Sequence, residues 1–317
     1  MKVAMLGGTG FVGSYLIDEL LAQGHQPALL VRPGNGSKVR HQELPSIVHG
    51  DVRDPEAVRK ALDGCDAAIY LIGILRERKA EGSTFEEIQY QGAKRTMDLA
   101  LEAGVQRFIL MSANGVKPNG TTYQATKYRA EQHLISTALD WTIFRPSVIF
   151  GPPRGRTEFA TRLYQQIIKP AIPAPLFYEG LLPMQAGTFR LAPIHVQDVA
   201  RILVKSLTMP ETYQKTYGLC GPEALEWKTL IQQLARAVGA YKLALPVPVF
   251  GVKLVAGVLE GFEFFPITRD QITMLMEGNT CDSSEVFAAF GLSPTRFNLD
   301  SLAYLTAAPV DNSIATQ

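Results

Sequence analysis

A chain of 317 residues can hold one large domain, or one domain with a smaller lobe. With 46% hydrophobic and 19% charged residues it has the composition of a globular protein with a real core, and a net charge of +1 gives no support to a nucleic-acid-binding surface. No run of about 18 apolar residues is present to span a bilayer, and a first strand that starts at residue 2 excludes a secretory leader, so a cytoplasmic protein, at most peripheral to a membrane, is expected.

The first stretch, MKVAMLGGTGFVG, sets the pattern for the rest of the chain. Val3, Ala4, Met5 and Leu6 form a continuous apolar run, as a strand covered on both faces requires. Gly7, Gly10 and Gly13 recur at three-residue spacing, and a helix from Phe11 to Gln23 stops at Gly24. Strand, glycine turn and helix in this order predict a dinucleotide site. One glycine turns the chain, one admits a pyrophosphate, one lets the helix pack on the sheet, and the helix N-terminus offers free N–H groups. Thr9, Phe11 and Val12 lie in the same turn.

A second strand spans 27–31 and closes at Arg32, followed by a Pro-Gly-Asn-Gly-Ser loop. At this place a site for NAD usually carries Asp or Glu against the ribose 2′-hydroxyl. Arg32 would instead grip a 2′-phosphate, so NADP(H) is preferred over NAD(H) as the expected cofactor. Ile47 and Val48 make a third strand before Gly50-Asp51-Val52, where Asp51 is either an acceptor for an adenine amino group, with Val52 against the ring, or a turn residue. Asp54 and Pro55 mark a helix start. A fourth strand, 67–72, ends at Leu71, Ile72 and Gly73, whose backbone is expected to face the middle of a dinucleotide. Ser83 caps a long helix to Ala103-Gly104, and Phe108 to Met111 form a fifth strand that closes on Ser112. Thr121 or Thr122 starts a helix through Leu139, and Trp141 to Phe144 form a sixth strand. Six strand–helix alternations in about 145 residues predict an α/β fold with a doubly wound parallel sheet.

Beyond Arg145 prolines break the chain, which predicts a dinucleotide-binding domain over 1–150, with 185–220 contributing to it, and a smaller, mostly helical substrate or partner lobe over 151–317. Regular elements return at 196–207, 227–238 and 249–261, and the last eight or so residues read as a loose tail. The stretch 248–265 is unusually apolar, either lobe core or a surface for a partner or membrane. Cys65, Cys220 and Cys281 lie far apart with no C-x-x-C motif and read as buried thiols in a reducing compartment. His25, His41, His49 and His133 lack metal-ligand spacing, so no metal is expected, and His195 reads as a hinge before a helix.

Tyr123 and Lys127 are four apart on a predicted helix and share a face. An ammonium beside a phenol favours the phenolate, so the pair can pass a proton to or from an alcohol while a nicotinamide carries the hydride.

These pieces together resemble the extended and atypical short-chain dehydrogenase/reductase superfamily, the NAD-dependent epimerase/dehydratase-like branch. The likeness is carried by Gly7-Gly8-Thr9-Gly10-Phe11-Val12-Gly13, Gly50-Asp51-Val52, Tyr123-x-x-x-Lys127, the stretch from Arg145 through Pro146 to Pro152, and Pro193 to Val199, and it covers residues 1 to about 205. Tyr70 to Leu75, Gly104 to Phe108 and Ser112-Ala113-Asn114-Gly115 are most like the group of the dehydrogenase-like accessory subunit of respiratory complex I. The resemblance implies a cofactor cradle that includes Pro146 and Lys127, with Lys127 also holding ribose. It implies a carbonyl-orienting group at Ser112 or Asn114, Asn114 standing where the superfamily's hydroxyl often sits. Two functions follow from it. The chain is either an NAD(P)-dependent oxidoreductase or epimerase acting on a carbonyl or sugar-nucleotide substrate, or an assembly, structural or redox-sensing protein that holds nucleotide and meets a protein partner through its C-terminal lobe.

Overall fold

The structure, a computed structural model, describes residues 1–41, 43–44, 46–259 and 268–307. Its centre is a seven-stranded, wholly parallel sheet. The strands are β1 (Lys2–Leu6), β2 (Gln26–Val31), β3 (Ile47–His49), β4 (Ala67–Tyr70), β5 (Arg107–Met111), β6 (Asp140–Pro146) and a late strand, Lys215–Leu219. Across the sheet the order is Lys215–Leu219, β6, β5, β4, β1, β2, β3. The chain therefore winds outward in both directions from β1 and β4, the doubly wound arrangement that the alternating elements predict.

Period two along β1 divides the core into two layers. Val3 and Met5 face one layer, with Leu16, Ile17 and Leu20 of α1 (Phe11–Ala22) and Val199, Ile202 and Leu203 of a later helix, Val196–Ser206. Ala4 and Leu6 face the other, with Val58 and Leu62 of α2 (Pro55–Leu62), Met97 and Ala100 of α3 (Gly92–Glu102), and Leu134 of α4 (Thr122–Ile135). Each fully buried Val, Leu, Ile or Met side chain among them contributes about 1.5–3 kcal/mol of transfer free energy, which is why the central strands read as continuous apolar runs.

Asp54 caps α2 through Glu56 N, with Pro55 at its first position. The long helix expected from Ser83 forms differently. Thr84, not Ser83, accepts from Glu87 N (3.1 Å), a wider-wound turn covers Glu86–Gln91, and α3 proper begins at Gly92. Tyr70 fills the space beside this turn and its hydroxyl donates to Ile88 O at 2.6 Å. Helix α4 ends at Ile135 rather than at Leu139, and β6 is longer than its apolar run, from Asp140 to Pro146.

After β6 the chain forms a second apolar cluster, in which Trp227 is buried and donates from Nε1 to Pro175 O (2.8 Å). Strands Ala174–Tyr178 and Ala244–Pro248 pair in parallel beside it. Among the described residues no helix is long and apolar enough to cross a membrane. Of the apolar stretch 248–265, residues from 260 onward, like the tail, lie outside the described residues.

One expectation is overturned. Cys220 and Cys281 are not thiols but a disulfide with Cα atoms 5.6 Å apart, and Cys65 is the remaining, buried free thiol. The bridge closes because Asn279 pairs with the segment 190–192, its N–H donating to Arg190 O and its carbonyl accepting from Ala192 N. That pairing sets Cys281 against the carboxyl end of Lys215–Leu219, at Gly218.

Candidate active site

The turn after β1 is shaped by backbone crowding. Gly7 has φ +104°, which side-chain-bearing residues rarely adopt, and a Cβ on Gly13 would come within 2.7 Å of Gly8 Cα. Gly10 N–H donates to Gly7 O (3.1 Å), and no side-chain oxygen caps α1 at Gly10. The helix thus presents an uncapped N-terminus at the carboxyl end of β1, with Thr9, Phe11 and Val12 around it, the arrangement that receives a pyrophosphate.

Arg32 stands exposed just beyond β2. Asp51 follows β3, and its carboxylate is held by Arg53 through Nε (2.8 Å), Nη2 (3.1 Å) and the backbone N–H (2.9 Å). Burial pushes the Asp51 carboxyl up, but these bonds and the charges of Arg53 and Arg32 hold it below its usual value. Val52 is buried against the Gly92 backbone and belongs to the core. At the centre of the sheet, a Cβ on Gly7 would lie 3.1 Å from Leu71 Cβ and 3.3 Å from Ile72 N, so the ends of β1 and β4 meet closely beneath the turn.

The chemistry-bearing groups come from α4 and the end of β5. Thr121 and Gln124 form a reciprocal capping box that starts α4, which then runs Tyr123 and Lys127 along one face. Lys127 Nζ donates to Met111 O (3.2 Å) and lies 5.9 Å from the centre of the Tyr123 ring. Burial lowers the Lys127 ammonium to about 8, against a smaller opposing pull from Glu131. Glu131 is itself fully buried and gripped by Arg145 through Nε (3.0 Å) and Nη2 (2.5 Å), which seats α4 on β6. Tyr123 packs edge-on against Phe85 at 5.8 Å, and burial raises its phenol well above the ordinary value, the reverse of the lowering expected from the neighbouring ammonium. A Cβ on Gly73 would lie 3.3 Å from Lys127 Nζ, so a side chain there would crowd the ammonium.

Ser112 and Asn114 differ in what they can offer. Ser112 Oγ is buried with no partner. The Asn114 amide nitrogen instead donates to Asn279 Oδ1 (2.8 Å) and Thr280 O (3.2 Å), so it fastens the C-terminal segment to the β5–α4 loop. Pro146 ends β6, paired with Leu219, and its carbonyl accepts from Asn114 N. His195 caps the helix Val196–Ser206, its Nδ1 accepting from Gln197 N (3.3 Å), with burial holding its ring below the usual value. One residue escapes a reading of the sequence. Gln89 is buried, neither amide atom has a partner, and its Oε1 would sit 3.9 Å from a Cβ at Gly73, beside Lys127. A glutamine on a helix carries no motif, and only its orphaned amide marks it.

Buried polar atoms without partners are costly, about 1–3 kcal/mol each, and here the Gln89 amide lies beside Lys127, while Ser112 follows Met111, whose carbonyl Lys127 binds. Together with the glycine cradle and uncapped helix, they fit a dinucleotide laid over the strand ends. Among the described residues no three His, Cys, Asp or Glu side chains are grouped to hold a metal ion.

Residues 7–168 match the model of a family described as NAD(P)H-binding. The chain is 29% identical to ceramide reductase of Caulobacter vibrioides over 81% of its length and 76% of the relative's. It is 25% identical to the mitochondrial NADH-ubiquinone oxidoreductase 40 kDa subunit of Neurospora crassa, over 92% of this chain and 75% of that one. In fold it is similar to the Thermus thermophilus UDP-glucose 4-epimerase in complex with NAD, with a TM-score of 0.72, 17% identity, and coverage of 97% and 98%.

Proposed function

Because the chain belongs to the NAD(P)H-binding family, we propose that it is an NADP(H)-dependent reductase of short-chain dehydrogenase type that acts on a carbonyl. The observation that carries this reading is the buried, partnerless Ser112 hydroxyl, next in the chain to Met111, whose carbonyl accepts from the Lys127 ammonium that lies 5.9 Å from the Tyr123 ring. A protein that held nucleotide only to stay folded would gain nothing from an unsatisfied hydroxyl there.

In this reading the bound nicotinamide supplies the hydride. Tyr123 is the proton donor. A buried phenol that holds its proton tightly is in the form needed to protonate an oxygen as negative charge develops on it. Ser112 donates to the same oxygen and orients the carbonyl, while Lys127 holds the nicotinamide ribose. Arg32 meets the 2′-phosphate, and the Gly7–Gly13 turn with Thr9, Phe11 and Val12 receives the pyrophosphate. Asp51 meets the adenine, while Val52 stays in the core beneath, and Leu71, Ile72, Gly73 and Pro146 line the rest of the groove.

The likeness to a respiratory-complex subunit supports a second reading, in which the nucleotide stabilises a protein that works through a partner. Exposed Leu181, Leu182 and Met184, and Phe250 and Leu254, would supply an apolar partner surface on the C-terminal side. One experiment separates the two. Nucleotide released on denaturation is identified, and NADPH oxidation is followed with a panel of carbonyl compounds for wild type and Tyr123→Phe. Turnover lost in Tyr123→Phe at unchanged nucleotide affinity supports the enzyme. Stoichiometric NADP(H) that no carbonyl oxidises supports the second reading, and recovery of NAD(H) refutes the role given to Arg32.

A further inference from the structure

Beyond β6 the chain crosses back over the nucleotide end of the sheet as the loop Pro152-Pro153-Arg154-Gly155-Arg156. Arg154 has φ 52°, an unfavourable backbone for a residue with a Cβ, and Gly155 follows at φ +74°. This conformation is held from several sides. The Arg154 guanidinium lies 3.5 Å above the Tyr15 ring, pairs with Asp18 at 2.8 Å and donates to Ser14 O at 2.9 Å, and the Tyr15 hydroxyl donates to Pro152 O. Backbone strain so firmly secured is a feature of functional loops.

What the loop delivers is Arg156. Its Nε donates to Thr9 O of the glycine turn (2.8 Å), its Nη2 to Lys38 O of the loop after β2 (2.5 Å), and its Nη1 to Arg154 O (2.5 Å). Among the described residues no carboxylate pairs with it. Asp18, the nearby acid, is already shared by Arg40, His41 and Arg154. Burial and the charges of Arg154 and Arg40 all press against the Arg156 cation. The side chain is therefore a half-buried, uncompensated guanidinium with two of its five N–H groups unspent.

Its place identifies the anion that it would meet. In a doubly wound dinucleotide fold the pyrophosphate lies at the first glycine turn, and the 2′ position of the adenosine ribose lies at the end of the second strand. Arg156 bridges those two segments, through Thr9 and Lys38. We propose that Arg156 is a specificity-determining residue that closes over the 2′-phosphate of NADP(H) from the side opposite Arg32. The inference rests on the NADP(H) reading of the cofactor site.

The test is direct binding to the full-length protein without substrate. Wild type, Arg156→Met and Arg156→Lys are titrated with NADPH and NADH, and with 2′,5′-ADP and 5′-AMP as fragments. Loss of one charge-assisted contact predicts about a tenfold or greater loss of NADPH and 2′,5′-ADP affinity in Arg156→Met. NADH and 5′-AMP affinities should be nearly unchanged, and Arg156→Lys should fall between. Equal weakening of both nucleotides would mean that Arg156 only pins the loop, and would overturn the proposal. A wild type that prefers NADPH and an Arg156→Met that prefers it as strongly would overturn the proposal while sparing the NADP(H) reading. A wild type that does not discriminate refutes that reading and the proposal with it. Should Arg156→Met fail to fold, the ratio of 2′,5′-ADP to 5′-AMP affinity in Arg156→Lys decides: a ratio unchanged from wild type overturns the proposal, and a reduced ratio supports it.

Discussion

Replacing Lys127 by Met removes a buried charge and keeps the stem. The ammonium is lowered from 10.5 to about 8, chiefly by burial. Because the folded value lies below the unfolded one, the folded state binds fewer protons between those two values. Wild-type stability therefore rises with pH across that window and carries its full charge penalty below it. The shift corresponds to about 3 kcal/mol of penalty near neutral pH, at about 1.4 kcal/mol per unit. Losing the Nζ donation to Met111 O costs about 1 kcal/mol in return. Without nucleotide, Lys127→Met should then be more stable than wild type by about 2 kcal/mol at about pH 6.5, and the gap should close by about 2 kcal/mol by about pH 9.5. Urea unfolding of both proteins at the two pH values, with equal slopes required, measures this difference. A variant less stable than wild type at the lower pH, or a gap that does not move with pH, would refute the account of Lys127 as a group kept charged at a cost in fold stability. The same variant should bind NADPH more weakly, so added nucleotide should raise its midpoint less than that of wild type.

Three further outcomes are expected. Ser112→Ala removes an orphaned hydroxyl, so unfolding should show stability equal to wild type or up to about 1 kcal/mol higher, while turnover falls about a hundredfold or more. Gly13→Ala drives a Cβ into the Gly8 backbone, and calorimetry should find a loss of about 1–3 kcal/mol together with loss of nucleotide binding. Thiol titration in denaturant should find one reactive cysteine, Cys65, before reduction and three after it. Reduction should lower stability by about 2–4 kcal/mol for the loop of 61 residues that the bridge closes.

Much of the fold can be read from local chemistry. Strands β1, β2, β4 and β5 are apolar runs bounded by glycine or a polar turn, because a central parallel strand is buried on both faces. The strand Lys215–Leu219 has no such signal. Lys215 and Thr216 face solvent at the sheet edge, and only its pairing with β6 defines it. Tyr123 and Lys127 announce themselves by helical spacing. The cystine and the partnerless amide of Gln89 depend on contacts between segments far apart in sequence. For Asn114, position suggests a substrate contact, but the amide's partner is Asn279, 165 residues away.

The sheet's outer strand also bears on synthesis. During translation β6 is complete once Pro146 has emerged, yet the strand that covers its edge arrives only with Lys215 to Leu219. Until then Thr142 to Pro146 form an open row of backbone polar groups, in a strand that carries the apolar sequence Trp-Thr-Ile-Phe. A nascent chain arrested between these points is a template for pairing with its neighbours. It follows that a truncation ending before Lys215, however much of the nucleotide-binding sequence it keeps, should be the form that aggregates.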